Sequence, residues 1–253
     1  MQGSSHLLSA RDVAGLLDRV RARHPRVHCI TNFVAQNFTA NMLLALGAVP
    51  AMTIARAEIG DFAARADALL VNLGTLDEER RAGAGIAIEV MRERRRPWVL
   101  DPVFVDASPV RRDYARHLLG ERPALLRANA SELAALADGE GAGDLARSSD
   151  AVVAVTGRID RVTDGIRSVE IGNGDPLMTR VTAIGCAGTA IMCAFLAVAD
   201  DPLIGTAAGL AVMGIAGEVA AGASSGPGSF AVALIDAIYS LDGAEIERRL
   251  DVR

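Results

Sequence analysis

Short apolar runs alternate with amphipathic stretches along the chain as far as Gly157. The apolar runs predict strands over residues 26–31, 48–52, 66–72, 98–101, 124–127 and 151–155. Apolar positions at helical spacing predict helices over residues 9–24, 39–46, 78–94, 109–119 and 131–137. Strands that alternate with helices are typical of parallel βαβ units. We therefore expect an α/β fold with a central, mostly parallel sheet that is flanked by helices on both faces.

The pattern changes after Gly157. Residues 161–164, 166–171 and 177–181 predict short hairpin strands, with turns at Asp164-Gly165 and Asn173-Gly174. Helical stretches follow over residues 186–198, 203–221 and 228–240. Neither a linker nor a repeat interrupts the sequence, so we expect a single domain over residues 1–253.

The most apolar part of the sequence predicts buried helices and no membrane span. It is interrupted between its two halves, residues 183–199 and 203–221, by Asp200-Asp201-Pro202. Neither half has the roughly 20 uninterrupted apolar residues that a spanning helix needs. Residues 1–8 also lack the features of a signal peptide. Three cysteines without a short spacing favour a reducing environment, and we expect a cytoplasmic protein.

The charge composition restricts the possible chemistry. The net charge is -5 and all 26 basic residues are arginine. No basic stripe with aromatic residues is present, so nucleic acid is not an expected partner. The absence of lysine excludes a Schiff base on this chain and a Walker-type phosphate loop. Any phosphate group must therefore be neutralised by arginine, by backbone N–H groups or by a metal ion.

Polar residues follow the predicted strands at the point where each strand ends. In open α/β sheets ligands bind at the carboxyl ends of the strands, so we expect a site at this edge. Single members of the set also fit the alternative of turn residues and helix caps. The set consists of Thr31-Asn32, Asn72 with Gly74-Thr75, Asp101, Arg127 with Asn129, and Thr156-Gly157.

Two carboxylates of this region are candidates for a magnesium site. Asp101 ends a predicted strand, and Glu132 lies three residues after Asn129. Carboxylate and amide oxygens are suitable ligands for Mg²⁺ that also binds nucleotide phosphates. The alternative for Glu132 is a capping-box pair with Asn129, because Asn-x-x-Glu fits that pattern as well.

The sequence TAIGCAGTA at residues 182–190 leads into a predicted helix. Gly185 and its small neighbours can direct backbone N–H groups at one point, and the helix N-terminus adds positive charge there. We expect an anion hole for a transferring phosphoryl group, with a lowered thiol pKa at Cys186. The alternative for Cys186 is a small buried apolar residue. A second glycine-rich segment, Gly141–Asp144, is expected to be a surface connection that continues to Asp150.

The longest motif of the chain is HCITNFVAQNFTAN at residues 28–41, which continues to Met52. Shorter motifs follow it: NLGTL (72–76), DPV (101–103) with Arg111, RANASE (127–132), VTGRID (155–160), VTDG (162–165), GNG (172–174) and Cys186. In their order and spacing these motifs, over residues 26–225, resemble those of the hydroxyethylthiazole kinase family of the ribokinase-like superfamily, and the first of them is the most specific.

The resemblance implies a role for each candidate residue. It implies ATP with Mg²⁺, the alcohol group of 4-methyl-5-(2-hydroxyethyl)thiazole as acceptor, and a homotrimer. The implied residues are Met52, Asn32 and the Ala183 backbone for the thiazole, Arg127 and Thr156 for ATP, Asp101 and Glu132 for the metal, and Gly185 and Cys186 for catalysis. Cys186 occupies the position at which sugar kinases of the superfamily have an aspartate base.

The sequence departs from the family pattern next to Cys186. Ala183-Ile184 stands where the family usually has Gly-Thr, and Ala128 replaces a usual glycine. Alanine is poorly suited to a left-handed backbone at residue 183, and isoleucine is stiff. Three other functions therefore stay open: a kinase for another heterocyclic alcohol, such as a hydroxymethylpyrimidine or a pyridoxal-like compound, a nucleotide-repair dehydratase, and a non-catalytic binder.

Overall fold

The computed structural model describes residues 7–253, so most of the segment 1–8 lies outside it. Its strands form one sheet in the order β2-β1-β3-β4-β5-β6-β7-β8. Strands β1 to β6 pair in parallel, and β7 and β8 continue the sheet in antiparallel pairs. The strands are β1 (Arg26–Ile30), β2 (Val49–Ala51), β3 (Ala68–Asn72), β4 (Trp98–Asp101), β5 (Leu125–Asn129), β6 (Val152–Thr156), β7 (Asp160–Thr163) and β8 (Ser168–Ile171).

Helices cover both faces of this sheet. Alternate side chains of a strand point to opposite faces, and both faces of β3 are buried. Leu70 belongs to a core that includes residues of α1, α2 and α8 to α11, whereas Leu69 and Val71 belong to a core with residues of α3 to α7. The helices are α1 (Ala10–Arg23), α2 (Gln36–Leu46), α3 (Ile59–Arg65), α4 (Glu78–Glu93), α5 (Pro109–Leu119), α6 (Ala130–Leu136), α7 (Ala142–Ser149), α8 (Ile184–Leu196), α9 (Pro202–Gly222), α10 (Pro227–Ser240) and α11 (Gly243–Arg249). The predicted fold class is confirmed.

The two most apolar helices form the centre of the larger core. Helix α9 is long and apolar enough to cross a membrane, but 83% of its apolar window is buried inside the protein. Helix α8 packs against α9 and against β1 and β3. A helix that is apolar on every side is expected in such a buried position. The prediction that both stretches are core helices is confirmed.

Three local predictions are wrong or incomplete. Residues Pro176–Arg180 form a 3-10 helix rather than a strand, because Asp175 caps it through the Leu177 N–H and proline starts it. The expected surface connection after Gly141 is instead helix α7, which buries Leu145 and Ala146. The seven-residue helices α3 and α11 have no counterpart in the sequence prediction.

Candidate active site

The carboxyl ends of the parallel strands bring polar residues to one edge of the sheet. Asn72 at the end of β3 lies in register with Asp101 at the end of β4. Asn129 at the end of β5 lies beside Thr156 at the end of β6. Asn32 follows β1, which is the other neighbour of β3. The topology therefore places these residues at the edge where ligands bind in parallel sheets.

Hydrogen bonds join this edge to the first turns of α8. Asn72 Nδ2 donates to Asp101 Oδ2 at 2.8 Å, and Asn72 Oδ1 accepts from Asn32 Nδ2 at 3.0 Å. The Cys186 sulfur lies 3.4 Å from Asn32 Nδ2 and 3.3 Å from Asn72 Nδ2. Thr189, one turn along α8, donates to Asp101 Oδ2 at 2.9 Å. Side chains of β3, β4, α8 and the loop after β1 are thereby held in one network.

Asp101 is the fully buried carboxylate of this network. Its Oδ1 has no hydrogen-bond partner within residues 7–253. Burial raises the pKa of Asp101 to about 6, and the nearby Arg127 guanidinium opposes that shift. At neutral pH the group is therefore mostly ionised. A buried carboxylate oxygen without a partner is costly, so this atom can gain from a cationic ligand.

Arg127 on β5 lies between Asp101 and the start of α8. Its Nη1 is 3.9 Å from Asp101 Oδ1, and 17% of its side chain is exposed. A Cβ at Gly185 would lie 3.3 Å from both terminal nitrogens of the guanidinium. That distance is tighter than ordinary van der Waals contact, so a side chain at residue 185 would displace Arg127.

A cavity of about 640 Å³ opens beside Arg127. Arg127, Thr156 and Gly185 contribute to its polar part, and no residue of Gly141–Asp144 lines it. Its volume is typical of sites that enclose a small ligand. The sequence prediction missed most of the remaining wall, because those residues carry the pattern of ordinary core positions. The missed residues include Met178, Met192, Leu210 and Met213, whereas Asn173 and Ile184, which also line the cavity, belong to segments that the sequence analysis had singled out.

Asn173 fixes the part of the cavity wall that is formed by the turn at residues 172–174. Its Nδ2 donates to Glu218 Oε1 at 2.9 Å and to the Arg249 carbonyl at 2.8 Å. Its Oδ1 accepts from the Asp251 N–H at 2.8 Å. Every polar atom of this buried amide is therefore used to hold the 172–174 turn. The GNG motif at residues 172–174 was the sequence signal that pointed to Asn173. The residue types of this motif do not by themselves predict the hydrogen bonds that Asn173 makes.

Helix α8 begins at the site without a side-chain cap. Ala183 is its N-cap residue, with φ 70° and ψ −7°. Its side chain accepts no hydrogen bond from the N–H groups of the first turn. The first N–H groups of a helix lack partners within it, and the helix dipole adds partial positive charge at this end. The 13-residue helix thus presents an anion-binding end next to Cys186.

Replacing Ala183 with glycine is expected to stabilise the protein by about 1 kcal/mol, because a left-handed backbone strains alanine and not glycine. Urea unfolding should show a higher midpoint with an unchanged slope. Ala187→Gly is the matched control, since Ala187 is buried in the regular part of the same helix and should lose about 1 kcal/mol. A loss of stability in both variants would contradict the strain at Ala183.

The expected low thiol pKa of Cys186 is wrong. Burial raises the pKa of Cys186 to about 11, and the Asp101 carboxylate raises it further. The amide donors of Asn32 and Asn72 and the Arg127 charge oppose this shift without overcoming it. The thiol is therefore protonated at neutral pH, and its position at a helix N-terminus does not make it a thiolate.

Glu132 forms the capping box that was the alternative for this residue. Its Oε2 accepts from the Asn129 N–H at 2.9 Å and its Oε1 accepts from the Phe104 N–H at 3.1 Å. Asn129 completes the pair by accepting from the Glu132 N–H at 2.9 Å. Glu132 is buried and both of its oxygens are engaged, so it ties the loop after β4 to the start of α6.

Met52 lies one residue beyond β2 and packs against the larger core. Neither Met52 nor Asn32 lines the 640 Å³ cavity. The predicted residues that do line it are Arg127, Thr156 and Gly185, together with Ile184, which follows Ala183. The His28 ring contacts the Thr53 carbonyl at 2.8 Å and so fixes the segment after Met52. The predicted residues therefore divide into a group that lines the cavity and a group, with Met52 and Asn32, that lies outside its wall.

Comparison with known proteins assigns this chain to a family. A sequence model described as the hydroxyethylthiazole kinase family matches residues 17–244. The chain belongs to the hydroxyethylthiazole kinase family. A protein named hydroxyethylthiazole kinase from Granulibacter bethesdensis is 48% identical over an alignment of 246 positions that covers 90% of this chain and 90% of that protein. The resemblance found in the motifs is thus confirmed, and the chain is a kinase, that is, a phosphotransferase.

Solved structures agree with this family membership. The hydroxyethylthiazole kinase protein from Pyrococcus horikoshii OT3 superposes with a TM-score of 0.92 at 40% identity, covering 95% of this chain and 98% of that one. A ribokinase-like superfamily protein from Enterococcus faecalis V583 gives a TM-score of 0.65 at 12% identity, with 91% and 94% covered. Because its identity is only 12%, the second match shows the fold alone, and that fold is ribokinase-like.

Proposed function

We propose that this chain transfers the γ-phosphate of ATP to the hydroxyl group of 4-methyl-5-(2-hydroxyethyl)thiazole, as in thiamine salvage. The observation that carries the proposal is the convergence of Arg127, the free Oδ1 of Asp101 and the N-terminus of α8 on one edge of the sheet. Phosphoryl transfer relies on positioning and charge stabilisation, and these groups offer both. Family membership supports the thiazole as acceptor.

The cavity is the proposed nucleotide site. Arg127 would pair with phosphate oxygens, and Thr156 at the end of β6 would add a hydroxyl group. The chain has no lysine, so arginine and backbone N–H groups must carry the charge neutralisation. The apolar wall around Met178 and Met213 suits the flat faces of a nucleobase.

The thiazole is proposed to bind outside the nucleotide cavity, on the opposite side of Cys186 from it. Asn32 contacts the Cys186 sulfur, so an alcohol beside Asn32 would face the first turn of α8. Met52 and the backbone of Ala183 are the proposed contacts of the thiazole ring. The γ-phosphate at the start of α8 would then lie between the thiazole hydroxyl group on one side and the leaving oxygen of the nucleotide on the other, as in-line transfer requires.

Cys186 and Gly185 are proposed to act in the transfer without a strong base. The thiol has a pKa of about 11 and would stay protonated. A loose transition state does not require prior removal of the alcohol proton. Gly185 would leave its N–H group open to the phosphate and leave room for Arg127.

The site fits Mg²⁺ that binds mainly through nucleotide phosphates and water. Asp101 Oδ1 is a free carboxylate oxygen, whereas both oxygens of Glu132 accept backbone N–H groups. No group of three or more His, Cys, Asp or Glu side chains that could hold a metal occurs in the described residues. Mg²⁺ commonly takes one or two carboxylates plus substrate phosphates, which matches this donor set. When bound, the ion would neutralise charge on the transferring phosphate.

The test is direct synthesis of the product. Purified protein is incubated with Mg-ATP and the hydroxyethylthiazole, and the phosphate ester is measured by mass spectrometry beside a no-enzyme control. Ester well above the control is expected. Folded protein that binds ATP but forms no ester would overturn the thiazole assignment, and a panel with hydroxymethylpyrimidine and pyridoxal would then identify a shifted alcohol. The departure at Ala183-Ile184 is the reason to include that panel.

We further propose a homotrimer in the cytoplasm, built from one domain per chain. The trimer rests on the family resemblance, and the cytoplasm is consistent with three free cysteines. Light scattering would measure the molar mass of the purified protein, and three times the mass of one chain is expected. The mass of a single chain would contradict the trimer.

A further inference from the structure

One arginine of α5 joins the loops that follow β3 and β4. Arg111 Nη1 donates to the carbonyl groups of Leu73 and, at 3.0 Å, of Val103. Arg111 Nη2 donates to the Gly74 carbonyl at 3.1 Å. A single partly buried guanidinium thus bridges three carbonyl groups of two loops that are otherwise separate in sequence.

The first of these loops is packed tightly against the site. The Gly74 N–H donates to Asn72 Oδ1 at 3.0 Å. A Cβ on Gly74 would lie 2.7 Å from Asn32 Nδ2 and 2.9 Å from Asn72 Oδ1. There is no spare space between this backbone and the two amides that contact Cys186. A shift of the loop would therefore move both amides.

The second loop connects to the carboxylates. The Val103 N–H donates to the Asp101 carbonyl at 2.9 Å. The next residue, Phe104, has φ 63° and donates its N–H to Glu132 Oε1 at 3.1 Å. Arg111 therefore holds the loop that runs from Asp101 to the contact with Glu132.

We infer that Arg111 is a positioning residue for phosphoryl transfer, because its guanidinium fixes the loop after β3 against the loop after β4. This inference rests on the proposed function. The planar guanidinium can serve three carbonyl groups at once, which a lysine ammonium on a flexible stem does less well. Without it, the two loops could shift and weaken the contacts of Asn72 with Cys186 and of Asp101 with Thr189. Arg111 itself bonds the backbone of the two loops, is not part of the cavity wall and acts through these residues.

Arg111→Met is expected to lower kcat about 10-fold, because misplacement of reacting groups slows the transfer step. The KM for ATP should stay within about threefold of wild type, since Arg127 and Thr156 remain in place. Arg111→Lys should give an intermediate kcat. Arg112→Met is the matched control on the same helix, and it should retain the wild-type kcat.

Two further readouts separate positioning from general damage to the fold. Millimolar guanidinium ion should restore part of the kcat of Arg111→Ala and leave the wild type unchanged. Amide hydrogen exchange should become faster at residues 73–76 and 103–105 in Arg111→Met, with helix α5 unchanged. A kcat of Arg111→Met within about twofold of wild type, or the same loss in Arg112→Met, would overturn the inference. If the wild type forms no ester, the proposed function fails, and unchanged exchange in the two loops would separately overturn the role of Arg111.

Discussion

Replacing Asp101 with asparagine is expected to lower kcat about 100-fold, because the charge of Asp101 and its Oδ1, which faces Arg127 at 3.9 Å but accepts no hydrogen bond in residues 7–253, are lost as a cation ligand. Asp101 Oδ1 has no hydrogen-bond partner in the described part of the chain, whereas Oδ2 accepts from Asn72 and Thr189. Asparagine can keep the Oδ2 contacts through its own oxygen. Steady-state kinetics with Mg-ATP would measure the loss, and a kcat within about threefold of wild type would remove Asp101 from the reaction.

The same substitution should change how stability depends on pH. Burial raises the folded-state pKa of Asp101 to about 6 from an ordinary 3.8, so the folded protein binds this proton more tightly than the unfolded chain does. The cost of burying the carboxylate is therefore absent below about pH 4 and complete above about pH 6. Without nucleotide or metal, wild type should lose about 2 kcal/mol relative to Asp101→Asn between about pH 4 and pH 7.

Urea unfolding at each pH measures this difference, and Asp200→Asn is the control because its side chain is 92% exposed. The control should track wild type at every pH. A constant difference between Asp101→Asn and wild type would mean that burial does not raise the pKa of Asp101.

Arg127→Ala is expected to raise the KM for ATP about 10- to 100-fold, which corresponds to the loss of charge-assisted hydrogen bonds to phosphate. Arg127 lines the cavity and lies against Gly185, so its guanidinium is already held where a phosphate would bind. At saturating ATP the kcat should fall less than the KM rises. Initial rates over a range of ATP concentrations separate the two parameters.

Arg161→Ala is the matched control for this substitution. Arg161 lies on β7, is 61% exposed in its side chain and pairs with Glu170, and it is not part of the cavity wall. Its KM for ATP should equal that of wild type. An unchanged KM in Arg127→Ala, or an equal rise in both variants, would exclude Arg127 from the nucleotide site.

The sequence predicted the sheet and its ligand-binding edge because both follow from local patterns. Apolar strands such as the one ending at Asn72 are short, buried on both faces and followed by polar residues. The parallel pairing then places Asn72 beside Asp101 and Asn129 beside Thr156. The small residues at 182–190 predicted the start of α8, and the family resemblance added the proposed substrate.

Other features depend on contacts that no local pattern contains. The pKa of Cys186 is raised because burial and the Asp101 carboxylate outweigh the helix N-terminus. Asn173 fixes the cavity wall through residues up to 78 positions away. The loops held by Arg111 come together only in the folded sheet. For Pro176–Arg180, an aspartate cap and a proline overrode the strand pattern.

The contacts of Asn173 also set an order of events during synthesis. Its partners at Arg249 and Asp251 follow it by 76 and 78 positions. Domains fold as the chain leaves the ribosome, and strands β1 to β6 can pair before these residues exist. The cavity wall at Asn173 cannot be completed until they have emerged. A nascent chain should therefore acquire its sheet first and its full affinity for nucleotide only after residues 249–251 have emerged.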